Sequence, residues 1–195
     1  MNNKYNKVAA TSAVIFVALL IYTATINYSH DKKILIPIIL ALVCITVLFI
    51  ISLFAYKKKI RLPASFQLFG VLFIFLALYL GEIHNFYIRF WWWDLILHSL
   101  FGCYTLIVSL HMIKGVIRKE VEITKKRFTV FLVVFAFSFT IALGTLWELF
   151  EFSGDYFFRK DMIKGGLEDT ATDLLVKTAS AFITSLIYYN KNKNS

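Results

Sequence analysis

Six long apolar stretches separated by short connections constrain this chain more than anything else in it. They cover residues 8–27, 34–56, 64–81, 95–113, 128–152 and 170–189. Crossing a hydrocarbon layer about 30 Å thick takes roughly 20 apolar residues in a helix. Only helices or closed barrels satisfy every backbone polar group there. The expectation is an all-α, polytopic membrane bundle of about six spans, one integral membrane domain over residues 1–195. Composition agrees, with 59% hydrophobic and 17% charged residues. A soluble domain runs nearer 45–50% and about 25%. The first stretch exceeds the usual apolar run of a signal peptide and lacks a clean small-x-small site, so it reads as a retained span.

The net charge of +9 would suit a nucleic-acid binder, but its distribution points to a bilayer. Lys and Arg number two before the first span, four in the 57–65 loop, six in the 114–127 loop and two after the last span. The alternate connections hold two, one and three, and Lys177 lies within a span. Fourteen against six is the positive-inside asymmetry, placing both termini in the cytoplasm. Anionic headgroups would attract the basic loops, so the expected partners are membrane lipids and not nucleic acid. Cys44 and Cys103 sit in apolar spans without CxxC spacing and read as small packing residues.

Against this background the polar residues stand out. The outer ends of spans three to six carry Glu82, His84, Asp94, His98, Glu148, Glu151, Asp155, Asp169 and Asp173. The first two spans contribute no acid, which divides the chain by charge into residues 1–63, an apolar two-helix unit, and 64–195, a four-helix unit with an acidic outer mouth. Asp94 and His98 are i,i+4. Glu148, Glu151 and Asp155 are i, i+3 and i+7. Asp169, Asp173 and Lys177 are i, i+4 and i+8. Each set occupies one helix face. A central charge costs about 2.5–3.5 kcal/mol on insertion scales, so such faces turn to the bundle interior and should converge.

Converging carboxylates repel, and either protons or a cation must relieve them. Carboxylates with an imidazole suit a divalent ion such as Mg²⁺, Mn²⁺ or Zn²⁺. The main candidate ligands are His98, Glu148, Glu151 and Asp173, with Asp155, Asp169, Glu82 and His84 as outlying ones. The catalytic candidates are Asp94, His98, Glu148, Glu151 and Asp173. Structural readings compete at several positions. Asp94 could cap span four behind an interfacial belt of Trp91, Trp92 and Trp93. Thr170-x-x-Asp173 fits a capping box, and Lys177 is placed to pair with Asp173. Gly102, Gly144 and Gly154 read as close-packing positions, Gly165-Gly166 as an outer turn, and His30 and His111 as structural. Capping cannot explain Glu148 and Glu151, which follow Leu146 and Trp147 inside a continuous apolar helix.

Three runs resemble the YjdF-like bacterial inner-membrane proteins. They are Glu82-Ile83-His84-Asn85-Phe86-Tyr87; Trp92-Trp93-Asp94 with His98 and Gly102; and Trp147-Glu148-x-x-Glu151-Phe152-x-x-Asp155, continued by Gly166-x-x-Asp169-Thr170-x-x-Asp173-Leu174. The resemblance covers roughly residues 81–185, with Ser180 where such proteins suggest a glycine. It implies a fold and a bacterial cytoplasmic membrane location, not a reaction. The order of acidic helices is also similar, more loosely, to VanZ-like proteins, which are linked to the cell envelope. Three functions are compatible with the pattern. The first is a metal-assisted hydrolase or transferase acting on an envelope lipid or lipid-linked substrate. The others are an accessory protein locked by polar contacts and a proton, cation or small-solute transporter.

Overall fold

A computed structural model describes residues 7–27, 34–117, 122–158 and 166–193. Its helices are α1 (Lys7–Asn27), α2 (Leu35–Lys57), α3 (Phe66–Ile74), α4 (Phe86–Arg89), α5 (Trp93–Val116), α6 (Lys125–Phe158) and α7 (Leu167–Asn192). A π-helical segment, Phe75–Ile83, continues α3. There is no strand among the described residues. His30, Gly165 and the basic residues at 4, 32, 33, 118, 119, 159, 160 and 164 lie outside them.

Five helical segments among the described residues are long and apolar enough to cross a membrane: Lys7–Ile26, Leu35–Lys57, Phe66–Ile83, Trp93–Val116 and Lys125–Phe157. These match the first five expected spans. The sixth, α7, has 26 residues and reaches about 39 Å, but it is not among the five. Glu168, Asp169, Asp173 and Lys177 all lie in its first half. Asp173 and Lys177 are only 3% and 2% exposed. Neighbouring helices, not lipid, receive the polar face of α7.

The chain forms two compact units, Met1–Trp93 and Asp94–Ser195. In the first, Ala13, Phe16 and Leu20 of α1 pack with Ile38, Ala41, Ile45 and Leu48 of α2 and Val71 of α3. The π-helical segment adds Phe75 and Tyr79, whose rings lie 5.3 and 6.0 Å from Phe16. The hydroxyls of Tyr79 and Thr23 are 3.3 Å apart. Asn85, with φ of 57°, turns the chain from this segment into α4. Asparagine tolerates that left-handed conformation better than most residues. The third span therefore packs with the first two. The division at residue 63 followed the charges, which say nothing about how Val71, Phe75 and Tyr79 pack.

The second unit holds α5, α6 and α7. Leu106, Leu110 and Ile113 of α5 pack on Leu132 and Ala136 of α6, with Tyr188 of α7 against them. Helices α5 and α7 run parallel and very close. A Cβ added at Gly102 would sit 2.4 Å from the Lys177 carbonyl oxygen and 2.2 Å from Ser180 Oγ. One turn on, the Thr184 hydroxyl donates to Cys103 Sγ at 3.3 Å. Glycine is what permits this approach, as expected for small residues between membrane helices.

Candidate functional site

The parallel packing of α5 and α7 puts their first turns at the same end of the unit. His98 is one turn above Gly102, and Asp173 is one turn above Lys177. The close backbone contact below thus brings imidazole and carboxylate together above. His98 Nε2 lies 3.1 Å from Asp173 Oδ2 and 3.2 Å from Asp94 Oδ1. The His98 and Asp173 side chains are 9% and 5% exposed, while that of Asp94 is 34% exposed. The trio is closed on the bundle side and open through Asp94. One donor atom from each of Asp94, His98 and Asp173 lies within 4.8 Å of the others.

The geometry has a chemical consequence. A ring nitrogen carries at most one hydrogen, yet two carboxylate oxygens approach the same nitrogen. One hydrogen cannot make two well-directed bonds. A divalent ion would satisfy all three atoms. Metal–ligand distances of about 2.0–2.2 Å at tetrahedral or octahedral angles separate ligands by roughly 2.8–3.6 Å. The two separations from His98 Nε2, 3.1 and 3.2 Å, fall in that range, and all three atoms lie within 4.8 Å of one another.

Helix α6 supplies the second layer. Glu148 is 4% exposed and accepts from the Lys177 ammonium. The Lys177 stem passes Gly144, where an added Cβ would meet Cδ at an ordinary 3.5 Å. Its nitrogen lies 5.9 Å from the Phe101 ring centroid. Glu151 is half-buried and within electrostatic reach of Glu148, His98 and Lys177, with the Trp147 side chain as a hydrogen-bonding neighbour. The three polar faces on α5, α6 and α7 therefore converge.

Several expectations change at the level of single residues. Lys177 pairs with Glu148, not with Asp173. His98 already holds Asp173, and the enclosed Glu148 carboxylate takes the lysine. Asp94 is not an N-cap, because α5 begins at Trp93 and Asp94 lies within its first turn. Thr170 and Asp173 form no capping box, because α7 begins at Leu167 after Gly166, with φ of 66°. Among the described residues the metal-compatible group joins Asp94 to His98 and Asp173, while Glu148 is engaged by lysine and Glu151 lies outside the group. Asp155 and Asp169 are half-buried on α6 and α7 and do not enter it. Glu82 and His84 belong to the other unit, where His84 packs 4.8 Å from the Tyr79 ring. His111 bonds the Ile107 carbonyl at 2.8 Å, a local structural role. The sequence pattern assigned no site role to Phe101, nor to Trp147 although it lies in the run Trp147-Glu148-x-x-Glu151. Their signals were present: Phe101 is three residues after His98, and Trp147 four before Glu151.

A family model described as "Predicted membrane protein (DUF2238)" matches residues 8–194. An "Uncharacterized protein" from Thermotoga maritima is 30% identical over 122 residues, which is 60% of this chain and 58% of that relative. The chain thus spans less than two thirds of the relative it matches. No solved structure matches.

Proposed function

Since the chain belongs to the predicted membrane protein family DUF2238, we propose that it is a polytopic protein of the bacterial cytoplasmic membrane that binds a divalent metal through Asp94, His98 and Asp173. In this reading it uses the ion to hydrolyse or transfer a group on an envelope lipid or lipid-linked substrate. The observation that carries the reading is the single His98 nitrogen facing two carboxylates from two helices.

A bound ion there supplies Lewis acidity to a phosphoryl or carbonyl oxygen, or acidifies a water. The chain's own residues do the rest. Asp173 and the bundle wall exclude solvent from the inner side of His98. Asp94 faces the open side, where a substrate head group would arrive. Glu151, outside the Lys177 pair, is the carboxylate free to take a proton. Orientation follows the basic residues: a tag at residue 120 should be cytoplasmic and one at residue 163 external. The reverse pattern would put the site on the cytoplasmic face.

The metal reading is tested by thermal unfolding in detergent. A ligand that binds only the folded state stabilises it by mass action. Chelator should lower the midpoint of the wild type, and Mn²⁺, Mg²⁺ or Zn²⁺ should restore it. His98→Ala should not respond. A wild type indifferent to chelator would favour the second reading, a polar cluster that locks three helices. The enclosed Lys177–Glu148 pair supports that alternative.

A further inference from the structure

Carboxylate-rich helical sites often hold two ions, and the ligand count here would allow it. Four carboxylates gather in the second unit: Asp94, Glu148, Glu151 and Asp173. Among the described residues, the ammonium they meet is that of Lys177. The helical Glu148-x-x-Glu151 pair, with Glu151 in electrostatic reach of His98, has the donor chemistry to cradle a second ion beside the first. The structure fills that cradle differently. Lys177 is 2% exposed and reaches across from α7 to Glu148. Its charge acts on both His98 and Glu151. Phe101 lies beside its nitrogen and Gly144 beside its stem.

We infer that the site takes a single divalent ion, at Asp94, His98 and Asp173, and that the Lys177 ammonium occupies the place of a second. This rests on the metal reading proposed above and adds stoichiometry to it. The charges agree. Four carboxylates against one ammonium leave three negative charges in excess, and one divalent ion reduces this to one. The remaining carboxylate is Glu151, half-buried and outside both the ion pair and the metal-compatible group. A second ion beside Lys177 would instead place two cations against each other in a medium of low dielectric constant.

The test is the number of Mn²⁺ ions bound per chain by the full-length protein in detergent. The wild type should bind one. Lys177→Met keeps an apolar stem and removes the charge, and it should bind two. Lys177→Arg should remain at one. The double variant Lys177→Met, Glu148→Gln removes the cradle with its lysine and should also return to one. Wild type binding two ions, or Lys177→Met still binding one, would overturn the inference while leaving the metal reading intact. Lys177→Met that fails to fold with Mn²⁺ supplied, when the double variant folds, would overturn it too, because the ion should replace the lost charge. Wild type binding none while Lys177→Met binds one would sink the triad reading and keep the lysine-for-metal substitution. None bound by either protein would sink both.

Discussion

Glu148→Gln should destabilise the protein by roughly 3–5 kcal/mol, the cost of leaving one partner of a buried ion pair without the other. Glu148 is 4% exposed and Lys177 2%. The substitution keeps size and shape but strands an ammonium inside three helices. Glutamine offers an amide oxygen to the lysine, which recovers part of a hydrogen bond and none of the charge. The matched double variant, Glu148→Leu with Lys177→Met, should lose far less, since replacing a buried pair by apolar residues is often neutral. Thermal or denaturant unfolding, in chelator, of the wild type, Glu148→Leu, Lys177→Met and the double variant gives the coupling between the two sites. A single variant as stable as the wild type would mean that the pair is solvated and that α6 and α7 are not held by charge.

Gly102→Ala should act on both fold and site. Its new Cβ would lie 2.4 Å from the Lys177 carbonyl oxygen, which is helix backbone and cannot turn aside. Ser180 Oγ, at 2.2 Å, could rotate, but the carbonyl contact would remain. Relief requires α5 and α7 to move apart. Overpacking of this kind costs about 1–3 kcal/mol. One turn above, the same movement draws His98 away from Asp173, so the stabilisation by added Mn²⁺ should shrink or vanish. Gly144→Ala is the control. Its Cβ meets Lys177 Cδ at 3.5 Å, an ordinary contact. It should change stability little and leave the metal response unchanged. Equal behaviour of the two alanine variants would show that the α5–α7 approach does not set the site.

Much of this was legible in the residues. Spans were readable because apolar length has one meaning in a chain this rich in Leu, Ile, Val and Phe. The i,i+4 spacing of Asp94 and His98, and the single face shared by Glu148 and Glu151, announced polar faces. The cost of exposing those faces to lipid implied convergence. Pairing was less readable. Lys177 is one turn from Asp173 on its own helix, and local spacing favoured that partner. The choice of Glu148 depends on how α6 lies along α7, which no local pattern encodes. Helix starts misled in the same way. Asp94 and Thr170 have the chemistry of capping residues, but Trp93 and Leu167 already begin their helices. The limit of the first unit was hidden because charge marks where water or an ion is needed, whereas α3 joins α1 and α2 through Val71 and its aromatic neighbours.

A metal bound between Asp94 and Asp173 has His98 as its nitrogen ligand. Pulsed electron paramagnetic resonance of the Mn²⁺-loaded protein reads that contact directly, through coupling of the ion to an imidazole nitrogen. Nitrogen coupling is expected in the wild type and in His84→Ala, and none in His98→Ala. Bound Mn²⁺ without nitrogen coupling, or coupling that survives His98→Ala, would contradict it.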